Sequence, residues 1–277
     1  MSQRTLSVGG VPEHFNVLWH WGREKNEFAS HGIDLQWRDF PGGTGALVSA
    51  LAEGTLDVAV MLTEGAIAAR ERGSDVRIIS QYVSSPLTWG VHVLASSRFY
   101  DDSELGTARI AISRFGSGSH LMALVEARRR GLNPAGLTFV VVSDLVGARK
   151  ALAECRADFF LWEKYTTKPL VDSGEWRRVG EVVSPWPAFV VTTRSAWADR
   201  NADELTRVLS VLDRRALEAY ADHQGTAAAV ATRYGLQRTD AQTWLASTQW
   251  SPKAPITEAT ELSVIENLRD AGVLGQP

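Results

Sequence analysis

The chain has 277 residues, 44% of them hydrophobic, which suits one large core or two moderate ones. A formal net charge of -3 gives no electrostatic basis for nucleic acid or an anionic membrane as partner, and no apolar stretch approaches the ~18 residues that span a bilayer. The single cysteine, Cys155, excludes an internal disulfide and a multi-cysteine metal site; its place between a helix and a strand predicts a small buried residue.

At the N-terminus, Met-Ser-Gln-Arg-Thr-Leu runs directly into a strand without the basic segment, apolar core and cleavage site of a secretory signal. A cytoplasmic protein is expected, or a periplasmic or extracellular one whose leader has been removed. Apolar periodicity then predicts strands near residues 5–9, 34–39, 58–62 and 76–82, with helices over 15–28, 45–53 and 64–72. A strand-like run at 89–95 follows. Strands are next predicted near 109–113, 138–142, 158–161 and 176–183, with helices over 119–130, 145–153 and 166–172, and a further run at 188–193. From Ala196 the pattern is helical, with Leu205, Val208, Leu209 and Leu212 at helical spacing, then Ala227, Val230 and Ala231, then Ala241, Trp244 and Leu245.

The order repeats. Ala-Leu-Ala-Glu occurs at 50–53 and at 151–154, and each copy leads to an Asp, Asp57 or Asp158, and an apolar run. Each is preceded by strand, polar or glycine-rich turn, helix and strand. Two α/β lobes are therefore expected, each a mainly parallel sheet flanked by helices, with the runs at 89–95 and 188–193 as a two-strand hinge. The predicted lobes are 1–88 plus 190–277, and 89–189.

Open parallel sheets bind ligands beyond the carboxyl ends of their strands, so position selects the candidates. After the first lobe's strands come His14 and Asn16, then Gly43 and Thr44, then Thr63 and Glu64. The second lobe supplies Arg114, Ser117, Gly118, Ser119 and His120, then Glu163 and Lys164; Trp89 and Trp186 fall at the crossovers. Arg-Phe-Gly-Ser-Gly-Ser ahead of a helix suits an anion, yet lacks the Lys of a phosphate loop and the third glycine of a dinucleotide loop. The same glycines and serines equally well shape a turn and cap a helix. Gly43 and Thr44 carry the same double reading. Glu64 either answers the helix dipole or receives a cationic or amine group. His14 and His120 are able to hydrogen-bond a ligand or act as acid and base, with His20 and Trp21 extending that wall. No metal-ligand spacing accompanies them. The rings of Trp89 and Trp186 would stack a planar ligand or pack the hinge, whereas Trp37, Trp197, Trp244 and Trp250 read as core.

The two-lobed order, Gly-Gly-Thr-Gly before a helix, the strand ending at Thr63-Glu64-Gly65 and the returning C-terminal helices resemble the type II periplasmic-binding-protein fold. Within it the chain is similar to the branch of nitrate, sulfonate and taurine solute-binding proteins and the pyrimidine-precursor proteins of thiamine biosynthesis. Val-Pro-Glu-His-Phe-Asn at 11–16, Gly-Ser-Gly-Ser-His-Leu-Met at 116–122, and Trp-Glu-Lys at 162–164 before Thr-Thr-Lys-Pro at 166–169 resemble an intracellular subgroup without a signal peptide. The resemblance implies a small-molecule binding protein that closes two lobes over a small polar or anionic, planar ligand such as a pyrimidine. It needs no cofactor, and its partner protein would be a permease or a regulator. In this reading Arg114 and the Gly-Ser amides hold the anion, Trp89 and Trp186 the ring, and Glu64 with His14 or His120 the remaining polar groups. The alternative is a cytoplasmic enzyme on the same scaffold, a dehydratase, decarboxylase, desulfinase or thiamine-precursor enzyme, using His14, Glu64, His120, Glu163 and Lys164. The cysteine-rich iron motif of the fungal thiamine-pyrimidine synthase has no counterpart beside the lone Cys155. A ligand sensor that docks on another protein is the third reading.

Overall fold

The computed structural model describes residues 4–275, so Met1–Gln3, part of the segment read for a leader, and the last two residues of the predicted first lobe lie outside the described residues. β1 (Arg4–Gly10) leads through a single 3-10 turn (His14–Asn16) into α1 (Val17–Glu24) and α2 (Glu27–Ser30). There follow β2 (Ile33–Asp39), α3 (Thr44–Ala52), β3 (Val58–Leu62), α4 (Thr63–Glu71) and the long strand β4 (Arg77–Leu94). The second series is β5 (Arg109–Ile112), α5 (Gly118–Arg129), β6 (Thr138–Val141), α6 (Leu145–Ala153), β7 (Phe159–Glu163) and α7 (Lys168–Asp172). A second long strand, β8 (Trp176–Thr193), precedes α8 (Ser195–Arg200), α9 (Ala202–Ala221), α10 (His223–Tyr234), α11 (Arg238–Ser247) and α12 (Glu258–Asp270).

The chain forms two compact units. The first comprises the chain up to Ser85 with Trp186–Glu258; the second comprises Pro86–Pro185 with the chain from Ala259 onward. The expected division, 1–88 plus 190–277 and 89–189, places α12 with the first lobe. In the first unit the strand order is β2-β1-β3-β8, with β1 parallel to both β2 and β3, and β3 antiparallel to the second half of β8. Leu47, Leu51, Leu56, Ala59, Met61 and Val190 form a core between this sheet and its helices. The order in the second unit is β4-β7-β5-β6, with β5 parallel to β6 and β7, and β7 antiparallel to β4. Phe160, Trp162 and Trp176 pack there with Ala148 and Leu152.

The repeated tetrapeptide has one structural job in both units. Ala50 O accepts from Thr55 and Leu56, Ala151 O from Arg156 and Ala157, so each copy ends its helix in the same turn. The Asp that follows then ties the third strand to the first. Asp57 Oδ2 accepts from Ser7 N at 3.0 Å and Ser7 Oγ at 2.9 Å, and Asp158 Oδ2 accepts from Arg109 N at 2.9 Å. A backbone bond returns in each unit, from Asp57 N to Ser7 O and from Asp158 N to Arg109 O.

Three local expectations are corrected. The helix expected over 15–28 breaks at Asn26, whose φ of 56° is left-handed, yet Phe28 remains buried against Trp19 at 6.0 Å. The strand runs at 76–82 and 89–95 are one strand, as are those at 176–183 and 188–193, so the crossovers expected beside Trp89 and Trp186 are extended strand through Ser84-Ser85-Pro86 and Ser184-Pro185. Outside partners make this feasible for β4: Ser84 N donates to Gln249 O, Ser251 N donates to Tyr82 O, and Ser184 Oγ accepts from Leu87 N. Proline's fixed φ suits such extended, non-donating positions. Cys155, expected to be buried, is exposed with φ 51°, in the turn position that Gly54 occupies in the first repeat with φ 73°. A residue held in the left-handed region just past a helix faces solvent because that turn carries the chain away from the core.

Candidate functional site

In the first unit, parallel pairing brings the carboxyl ends of β1, β2 and β3 to one edge, and Asn16, Thr44, Thr63 and Glu64 follow those ends. Gly43 adopts φ 68° and ψ -158°, a region open to glycine alone, and so starts α3 at Thr44. A Cβ on Gly65 would lie 2.6 Å from Thr44 Cγ2, so the starts of α3 and α4 touch. Trp186 Nε1 donates to Glu64 Oε2 at 2.8 Å and fixes the carboxyl. Burial pushes that carboxyl from its ordinary 4.5 up to about 7, outweighing its own backbone amide and the Trp186 bond, which pull it down.

Four oxygens on this edge are buried with no hydrogen bond from another residue: Asn16 Oδ1, Thr44 Oγ1, Thr63 Oγ1 and Glu64 Oε1. Asn16 Nδ2 donates to Val11 O at 2.8 Å, which assigns the amide and makes its free atom an acceptor. Each unmet buried polar group costs about 1–3 kcal/mol. Four such groups on one edge distinguish it from ordinary helix capping.

His14 is buried beside them, stacked on Phe15 at 4.8 Å and edge-on to Trp244 at 4.5 Å. Desolvation lowers it from 6.5 to about 3, so its imidazole is neutral across the physiological range. His20 packs on Trp37 at 5.1 Å, and Trp21 lines a separate surface hollow with Lys25, Arg215 and Glu218.

In the second unit, the loop before α5 is bonded within itself. Ser119 Oγ accepts from Ser113 N at 3.2 Å and lies 3.1 Å from Ser117 Oγ, while Gly116 N donates to His120 Nδ1 at 3.0 Å. His120 also packs on Phe115 and Phe139, so its ring braces this loop. Gly118 and Ser119 form the first turn of the twelve-residue α5, whose leading amides have no intrahelical acceptor. Arg114 is half-buried, and desolvation holds its guanidinium below the ordinary range. Trp89 is buried with Nε1 unpartnered and pairs across the strands with Glu163. Glu163 Oε2 accepts from Tyr165 N, Thr166 N and Thr166 Oγ1, and burial pushes its carboxyl up to about 7 against those bonds. Lys164 pairs with Glu181 at 2.8 Å.

The structure thus brings Asn16, Thr44, Thr63, Glu64 and Trp186 together on one unit, and Arg114, Ser117, Ser119 and His120 together where a loop enters α5 on the other. Sequence reading passed over His92, which meets Thr167 Oγ1 at 2.8 Å and Phe160 O at 3.3 Å; burial lowers it to about 4. Ser113, just past the end of β5, also has a buried Oγ with no partner. A lone polar residue inside a strand carries no motif, so His92 had no signal. Among the described residues no cluster of three or more His, Cys, Asp or Glu is placed to hold a metal, and no helix is long and apolar enough to cross a membrane.

No curated protein sequence matches the chain. The model of a family described as Ca3427-like PBP matches residues 89–182. Among solved structures, the Candida albicans CA3427 gene product, described as having the generic periplasmic binding protein fold, is 24% identical, with 99% of this chain and 92% of that chain covered and a TM-score of 0.91. The alkanesulfonate-binding protein SsuA from Xanthomonas axonopodis pv. citri, bound to MOPS, is 18% identical over 100% of this chain and 95% of its own, with a TM-score of 0.81. Escherichia coli SsuA, a periplasmic aliphatic sulphonate binding protein, gives 16% identity over 99% and 90%, with a TM-score of 0.71. At such identities the likeness is one of architecture, and by that architecture the chain has the type II periplasmic-binding-protein fold.

Proposed function

We propose that this protein binds a small polar or anionic solute with a planar ring, and that binding is coupled to hinge closure of its two lobes. The observation that carries this reading is the set of four buried, unmet oxygens on the first unit, at the strand ends where this fold class takes ligands. The half-buried Arg114 and the first turn of α5 suit an anionic group. The sulfonate named for the SsuA structures makes sulfonates the natural first probes.

One observation favours a second reading, an enzyme. Glu64, held near 7, is half-ionised at neutral pH and so is suited to pass a proton. Against it, His14 stays neutral down to about 3, and Glu163 and Lys164 are engaged within their own loop and with Glu181. The test is a thermal-shift screen of purified protein against sulfonates, aromatic carboxylates and pyrimidines, with mass spectrometry of each mixture after incubation. A ligand at a hundred times its Kd adds about 2.7 kcal/mol of stability. Stabilisation with the compound intact supports a binder. Conversion to a new mass would replace it with the enzyme.

A further inference from the structure

We propose that the ligand presents an N–H donor to the first unit, an amine, amidine or amino-heterocycle nitrogen received by Glu64 Oε1, with Asn16 Oδ1 as a second acceptor. This rests on the solute-binding reading above and narrows its ligand class.

The argument is one of donors and acceptors. Glu64 Oε2 is taken by the Trp186 indole N–H at 2.8 Å, so the carboxyl cannot swing and Oε1 keeps a fixed direction. Glu64 is 1% exposed and Oε1 receives nothing from any other residue. An ionised carboxylate offers only acceptors. Asn16 is fixed likewise, because its Nδ2 is spent on Val11 O at 2.8 Å, leaving the buried Oδ1 as an unmet acceptor. The remaining two unmet oxygens, Thr44 Oγ1 and Thr63 Oγ1, are hydroxyls that rotate to donate or accept and so impose no choice. At pH 8, where the Glu64 carboxyl is mostly ionised, the two members of the set that cannot adapt are therefore both acceptors.

A sulfonate or carboxylate laid on this edge would bring oxygen against oxygen at Glu64 and Asn16. A ligand nitrogen bearing hydrogens meets both, and its acid, where it has one, is left for other groups. Water can fill these acceptors in the unliganded protein, and the ligand that displaces it must donate in its place, or affinity is lost. A site built to bond an N–H rejects the analogue lacking it far more strongly than a methylene changes binding, because the buried partner is then left unmet.

The experiment uses matched pairs that differ by one amino group: taurine and ethanesulfonate, 4-aminopyrimidine and pyrimidine, 4-aminobenzoate and benzoate. Binding to the full chain is measured by calorimetry at pH 8, for wild type and Glu64→Gln. In any pair that binds, the aminated member should bind wild-type protein at least about tenfold tighter. That preference should vanish in Glu64→Gln, because the Trp186 N–H retains the Gln carbonyl and the Gln amide then turns a donor toward the ligand. An amino-free member that binds as tightly as its partner, with affinity unchanged by Glu64→Gln, overturns this inference and leaves the solute-binding reading standing. Absence of binding by all six compounds overturns both. The paired comparison in wild-type protein holds even if the variant misfolds.

Discussion

Glu64→Gln should stabilise the unliganded protein at pH 8 and alter it little near pH 5. Burial holds the Glu64 carboxyl at about 7 against an ordinary 4.5, a gap of about 2.5 pH units, and each pH unit corresponds to 1.36 kcal/mol. Ionising it in the folded protein therefore costs about 3 kcal/mol. The folded value lies above the unfolded one, so the folded protein holds this proton more tightly. Stability from this source is greatest below 4.5, falls as the pH rises through 7, and then levels. Glu163, also at about 7, adds a fall in the same window. His14 and His92 act in the opposite sense. Burial holds them at about 3 and about 4 against 6.5, so the stability they confer is full above 6.5 and is lost as the pH falls toward those values. The trends overlap between 4.5 and 6.5, and the wild-type curve alone does not separate them. The difference between variant and wild type does. Equilibrium urea unfolding at pH 5, 6, 7 and 8 should give a difference that grows from under about 1 kcal/mol at pH 5 to about 3 kcal/mol at pH 8. A difference that stays constant across those four points refutes the argument, since it would mean that Glu64 titrates alike in the folded and unfolded chain.

Trp186→Phe keeps a ring but removes the donor to Glu64 Oε2. It should cost about 2 kcal/mol at pH 8, where the carboxylate is charged, and less at pH 5; equal losses at both would contradict the assignment. Cys155→Gly should raise stability by about 0.5–1 kcal/mol, because φ 51° strains any residue with a Cβ, and urea unfolding showing a loss would rule that out. Asp57→Ala and Asp158→Ala should each cost about 1–3 kcal/mol through the lost strand ties. Hydrogen exchange locates the effect: the Ser7 amide should lose protection in the first variant and the Arg109 amide in the second, and unchanged exchange at both would exclude the shared role.

Much of this architecture is legible in the chain because its elements alternate in period. The strand end at Leu62 follows directly from an apolar run, whereas the strand expected to end at 9 runs to Gly10 and the helix expected from 45 starts at Thr44, with Gly43 and not Thr44 in the cap position. The recurrence of Ala-Leu-Ala-Glu with Asp57 and Asp158 carries the duplication in the sequence itself. Sequence failed where tertiary partners override local signals. Ser84-Ser85-Pro86 reads as a loop, yet Gln249 and Ser251, far along the chain, supply the hydrogen bonds that keep it extended. The helix over 15–28 looks continuous because Phe28 keeps the apolar phase across the break at Asn26. In the site, residue types were readable and bonding states were not. Glu64 was selected by its place at a strand end, but nothing local announces that Trp186, 122 residues away, would take one of its oxygens and leave the other. His120 and Glu163 were chosen for their chemistry, whereas in the fold His120 accepts from Gly116 N, and Glu163 from Tyr165 N and Thr166 N, each close by in the chain.

The first unit is discontinuous, and this sets an order of events during synthesis. β1, β2 and β3 are made early, but the strand that pairs with the free side of β3, the second half of β8, begins at Trp186, after the whole of Pro86–Pro185 has been translated. Until then the run Val58–Leu62 leaves the ribosome with one side unpaired, the kind of apolar edge that other chains can join. The Pro86–Pro185 segment carries its five strand segments in one stretch and lacks only α12. The later-encoded unit is thus the earlier to close, and a nascent chain stalled near Pro185 should hold a protease-resistant second unit beside a first unit still open to digestion.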